Sequence, residues 1–264
     1  MKRLSKRIRT AQRLIFSAAF LLCLVFLRSD SAQAESTITC PSGTYDMLDW
    51  MTMDTDLTSQ YHMAGTSNPL YTIVESSSGQ SGKFYWIKGG LGYPWDIQLY
   101  DANYIYLWIT ELSWTVPQSY KKFTNNKNLP LVPRCAIAHT STPGSAIKVA
   151  NTNYDLHTNC ANTCSVTLGL LNAINQVWGP YSMSFGGNLP NQPLPTLVIS
   201  YRYNCNANYA NCGDKEEYYL TQKYGLVQWI HYIRIPATGA YAQLQKTIFN
   251  KLVPGVVTPN FPCF

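Results

Sequence analysis

The stretch Asn103 to Trp114, NYIYLWITELSW, decides the fold. Read with a period of two, it puts Ile105, Leu107 and Ile109 on one face and Tyr104, Tyr106 and Trp108 on the other. β-Branched and aromatic side chains suit a pleated, packed surface, so the run reads as an interior strand and not a helix. Its aliphatic side belongs to a core. Its aromatic side either lies under a second layer or forms an open face on which flat ligands such as sugar rings stack, and alternation alone leaves both open. Glu111 falls by the same count on the aliphatic side. There it must sit at the strand rim, pair with a cation such as Arg134 or Arg202, or be buried and neutral as a general acid is.

Working outward, Leu70 to Glu75 and Lys83 to Lys88 read as strands joined by the serine-rich segment 76–82, and Trp95 to Asp101 as a strand feeding the central one. Further strands are expected at Thr196 to Asn204, Glu216 to Lys223, Leu226 to Ile235 and Tyr241 to Phe249. The spacing of Val166, Leu170, Ile174, Val177 and Trp178, ended by Gly179-Pro180, predicts a helix over Ser165 to Trp178. About eight strands and at most one short helix imply an all-β fold: an antiparallel, disulfide-bridged β-sandwich, jelly-roll-like in outline.

The chain begins with Lys2, Arg3, Lys6, Arg7, Arg9 and Arg13, then the apolar run Leu14 to Leu27, then Ala32-Gln33-Ala34. This is the pattern of a secretory signal peptide over residues 1–34, cut after Ala34, with one β domain over 35–264. The leader holds seven of the 20 basic and one of the 14 acidic residues, which leaves 13 of each in the rest of the chain. The overall charge of +6 therefore belongs to the leader. With no basic stripe left, nucleic acid and anionic membrane surfaces are not expected as partners. Few charges, 19 tyrosines and no Asn-x-Ser/Thr sequon suggest an exported bacterial protein.

Seven cysteines follow the leader, and in an exported chain they read as disulfides with one thiol left over. Cys205 and Cys212 bracket a turn-rich loop that a local bridge would close. Cys40 and Cys263 are expected to clasp the two ends, which leaves Cys135, Cys160 and Cys164 to share one bridge. No CxxC motif or Cys/His spacing for zinc occurs. The acids Asp46, Asp49, Asp54 and Asp56 lack the glycine turn and late acid of a calcium loop, so neither metal nor cofactor is expected.

No GxSxG, HExxH or phosphate-binding loop is present. Three groups remain. Trp86, Trp95, Tyr104, Tyr106, Trp108 and Trp114 would give a carbohydrate platform if their faces were open. Asp96 and Glu111 could meet across a cleft as acid and base. Arg202, Tyr203, His231 and Gln228 could hold a uronate and move a proton, as an eliminating lyase requires. The expectation is a secreted protein binding glycan or another component of the cell envelope through an aromatic sheet face. A polysaccharide-cleaving enzyme on the same face and a ligand-free envelope protein are the alternatives.

Overall fold

The computed structural model describes residues 38–53, 60–63, 69–75, 80–88, 94–113, 119–123, 129–158 and 166–254. The first half of the chain gives β1 (Tyr45–Asp46), α1 (Met47–Met51), β2 (Gln60–Met63), β3 (Pro69–Glu75), β4 (Gly82–Lys88), β5 (Pro94–Tyr100) and β6 (Tyr104–Ser113). The short strands β7 (Ser119–Phe123), β8 (Leu129–Pro133) and β9 (Cys135–Ala136) come next, followed by the long strands β10 (Ala146–Thr158), β11 (Val166–Met183) and β12 (Leu194–Cys205). β13 (Cys212–Thr221), β14 (Gly225–Arg234), β15 (Tyr241–Ile248) and β16 (Lys251–Pro254) complete the described set.

Fourteen of these strands form one antiparallel sheet in the order β15-β14-β13-β12-β11-β10-β7-β6-β5-β4-β3-β2-β16, with β8 beside β6. Most neighbours in this order are consecutive in the chain, and the exceptions are β10 beside β7 and β16 beside β2, which bring distant segments together. The sheet folds back on itself. Trp86 of β4 and Tyr218 of β13, far apart in strand order, lie with ring centroids 5.5 Å apart, and Trp95 of β5 meets Trp229 of β14 edge-on at 5.2 Å. The inner faces of the two halves thus pack on each other as a sandwich. β15 pairs with β14 and β16 with β2, and only Phe249 and Asn250 lie between them. One segment therefore supplies both terminal strands of the described sheet.

Residues that alternate toward the inner face fill the core: Phe84 and Trp86, Ile105 and Leu107, Ala173 and Val177, Leu197, Ile199 and Tyr201, and Tyr218 and Leu220. The single helix among the described residues, α1, is capped by Asp46, whose Oδ1 accepts from the Leu48 N–H at 3.0 Å. It buries Met47, Leu48, Trp50 and Met51.

Of the helix expected over Ser165 to Trp178, Ser165 lies outside the described residues and Val166 to Trp178 belong instead to β11, which corrects that reading. Ala173 and Val177 face the main core while Ile174 belongs to a separate cluster with the Cys205–Cys212 bridge on the other side. A strand buried on both faces carries apolar residues without a clean alternation, and here they happened to fit a 3.6-residue period.

The disulfides need a second correction. Cys205 and Cys212 are bridged, as directly opposed residues of the β12–β13 hairpin. Cys40 pairs with Cys135 and not with Cys263. The reason is local. β1 pairs with β9, with Asp46 opposite Cys135, and the Met47 N–H donates to the Arg134 carbonyl at 2.8 Å. Next to that seam the Arg134 guanidinium, 1% exposed, donates Nη2–H to Asp46 Oδ2 at 3.1 Å and Nε–H to Oδ1. The segment around Cys40 is thereby docked beside β9. Cys160, Cys164 and Cys263 lie outside the described residues. The two bridges fit an oxidising compartment.

Candidate functional site

The meander aromatics do not form one platform. Trp86 and Trp95 are 0% and 5% exposed in the core, so they are not open to a ligand. Tyr104 is 39% exposed, but Tyr106 is buried and donates its hydroxyl to Asp101 Oδ2 at 3.0 Å. Trp108 is half-buried with the Lys122 ammonium 5.6 Å from its ring centre. Trp114 lies outside the described residues.

The acid pair is not assembled either. Ile97 pairs with Ile109 but Gln98 pairs with Leu107, so Trp108 is an extra residue and β6 bulges there. The bulge turns Ile109 away from Ile105 and Leu107 into a separate cluster with Tyr85, Ile97 and Tyr120. Glu111, opposite Tyr120, follows it and stands half-buried on that outer face. Asp96, 1% exposed, opposes Thr110 on the inner face. Asp96 and Glu111 thus project from opposite sides of the sheet.

The proposed lyase group divides in the same way. Tyr203 and His231 point inward, whereas Arg202 and Gln228 occupy the outer rows of the same strands. On the inner face the Glu216 carboxylate accepts from Tyr203 Oη at 3.0 Å, Tyr218 Oη at 2.7 Å and Trp229 Nε1 at 2.8 Å. His231 Nε2 lies 3.3 Å from Asp214 Oδ1 and 3.5 Å from Tyr203 Oη. Burial, with the Glu216 charge adding to it, raises the Tyr203 and Tyr218 hydroxyls far above the usual phenol range, so they stay protonated donors. Burial pushes the Lys121 ammonium down while Glu216 and Asp214 oppose the shift. The three donors come from β12, β13 and β14, so the Glu216 carboxylate ties those strands together.

The outer face of the other half-sheet carries an open depression. β11 pairs Trp178 with Val198 and then Tyr181 with Thr196, so one extra residue lies between them. Gly179 makes that bulge possible. Its φ is +112° and a Cβ there would sit 2.6 Å from the Thr196 carbonyl oxygen. Without the extra residue, positions 178 and 181 would face opposite ways. With it, Trp178 and Tyr181 share one side with Met183, Val198, Glu217 and Tyr219 and line a depression of about 600 Å³. That volume is in the ~300–1,000 Å³ range of small-ligand sites.

Glu217 is the polar centre of this side. Its Oε1 accepts from Lys215 Nζ at 2.8 Å, and its Oε2 accepts from Tyr219 Oη at 2.8 Å and Tyr232 Oη at 3.1 Å. A carboxylate offers about four acceptor positions, so roughly one remains for a ligand hydroxyl. The Lys215 ammonium sits 4.0 Å from the Tyr232 ring centre and 5.3 Å from that of Tyr241. The site is not legible in the sequence because the spacing there assigns Trp178 to a helix. The available signal was Trp178-Gly179-Pro180-Tyr181 followed by the Glu216-Glu217-Tyr218-Tyr219 run.

No helix among the described residues is long and apolar enough to cross a membrane. No family model matches this chain, and neither a curated protein nor a solved structure matches it.

Proposed function

We propose that the chain is an exported glycan-binding protein whose binding face is the outer side of β11, β12 and β13. The carrying observation is the depression lined by Trp178, Tyr181 and Tyr219 with the Glu217 carboxylate among them. Sugars present apolar C–H faces and a fringe of hydroxyls, and half-buried aromatic rings beside an anchored carboxylate match both. The aromatic face expected on the central meander is thereby moved to the opposite half of the sandwich. Export rests on the basic and apolar leader, cut after Ala34, together with the two bridges. A glycan array probed with the chain from Glu35 onward, beside its Trp178→Ala variant, tests the reading. Selective retention of a glycan by the first and not the second supports it, and no retention of any glycan by the first refutes it.

A further inference from the structure

Strand register continues the outer face beyond the depression. The row Trp178, Val198, Tyr219 is followed by the row Gln176, Ser200, Glu217, and that by the row Ile174, Arg202, Lys215, Tyr232. Arg202 lies four residues along β12 from Val198, roughly 14 Å at the usual rise of a strand. That is the span of a short oligosaccharide lying across the strands' outer side chains.

The far row is electrostatically unbalanced. Arg202 and Lys215 are directly opposed cations, an arrangement that costs stability unless something compensates it. Lys215 is compensated by Glu217 at 2.8 Å. Arg202 is not. Its Nη2 donates to Gln176 Oε1 at 2.7 Å, its Nε is enclosed without a hydrogen-bond partner, and no carboxylate among the described residues pairs with it. The side chain is half-buried, so the guanidinium is held by its surroundings and Gln176 and is not swinging in solvent. The enclosed Nε is out of a ligand's reach, so the anion would meet the terminal N–H groups, where Nη2 alone carries a hydrogen bond, and the end of a held guanidinium suits a planar or tetrahedral oxyanion.

We infer that Arg202 is an anion subsite, and that the glycan taken by this face carries a charged group, a uronate carboxylate or a sulfate ester, one short oligosaccharide span from the sugar on Trp178 and Tyr181. This rests on the glycan-binding reading and adds the ligand's charge to it. Lys215 and Tyr232 flank the subsite. Glu217, neutralised by Lys215, does not repel the incoming anion.

Calorimetric titration separates the two claims. The probes are polygalacturonate, alginate and a sulfated galactan, each beside its methyl-esterified or desulfated counterpart. The unaltered chain should bind at least one acidic polymer about tenfold more tightly than its neutralised form, the worth of one charge-assisted hydrogen bond. Which pair shows the preference tells carboxylate from sulfate. Arg202→Gln should abolish the preference and leave affinity for the neutralised polymer unchanged, Arg202→Lys should retain only part of it, and Trp178→Ala should weaken both forms alike. Equal binding of acidic and neutralised polymers, or a preference that survives Arg202→Gln, overturns the anion subsite while the glycan face stands. Failure of every polymer, charged or neutral, to bind the unaltered chain overturns both.

Discussion

Trp178 and Tyr181 stand on the same side of β11 although only Gly179 and Pro180 separate them, because the strand carries one extra residue between its pairings with Val198 and Thr196. In regular extended chain those positions face opposite ways. The candidate binding face therefore depends on a backbone irregularity more than on any single functional side chain.

Gly179→Ala tests that dependence. The added methyl meets the Thr196 carbonyl oxygen at 2.6 Å in a backbone conformation with φ of +112°. A loss of about 2 kcal/mol or more is expected in urea denaturation, together with weakened ligand binding. A variant as stable as the parent would show that the bulge is not held as described.

The two described disulfides should differ in worth. Cys40–Cys135 spans 95 residues and Cys205–Cys212 spans seven. On the chain-entropy scale these correspond to about 4–5 and about 2 kcal/mol. Paired serine substitution of Cys40 and Cys135 should thus lower stability more than paired substitution of Cys205 and Cys212. Peptide mapping without reduction should recover Cys40 linked to Cys135, and recovery of Cys40 with Cys263 would reverse the correction.

These pairings also mark how far the sequence could be read. Cys205 and Cys212 were legible because a short turn-rich loop leaves them little choice of partner. Cys40 was not, because its partner is chosen by the docking of Tyr45–Asp46 against Cys135–Ala136 and by the buried Asp46–Arg134 pair, neither of which has a local signature. The antiparallel all-β class was legible in alternating runs such as Thr196 to Asn204. The aromatic platform was misplaced for a reason of the same kind. Alternation gives two faces but does not say which is covered, and single-residue bulges at Trp108 and after Trp178 exchange those faces part-way along a strand. Glu111 left the core side, and Tyr181 joined Trp178, through that same effect.

Alkaline pH should loosen the outer face. Burial first, then the Glu217 charge and hydrogen bond, push the Tyr232 hydroxyl up to about 12 from 10.0. The folded state holds this proton more tightly than the unfolded chain does. Its contribution is complete below pH 10 and is lost as pH rises from there through about 12. Glu217→Gln should bring Tyr232 ionisation back toward its ordinary value, seen by ultraviolet titration of tyrosinate against the Tyr232→Phe background. An unmoved titration would mean that Glu217 does not hold that hydroxyl.

N-terminal sequencing of exported material should begin at Glu35, since Ala32 and Ala34 follow the apolar run as small residues suited to the peptidase. Recovery of a chain that retains Met1 in the membrane fraction would contradict export by this leader.

The central claim is that the outer face of β11 to β13 holds a glycan against Trp178. Its most direct measurement is titration calorimetry of the chain from Glu35 with glycans retained on an array, run beside Trp178→Ala with thermal denaturation of both. Loss of a stacked ring should reduce affinity at least tenfold, since aromatic contacts of this kind are worth ~1 kcal/mol or more beyond the area they bury, and the melting temperature should change little because Trp178 is half-buried at the surface of the sheet. Full affinity in a folded Trp178→Ala protein would contradict the claim.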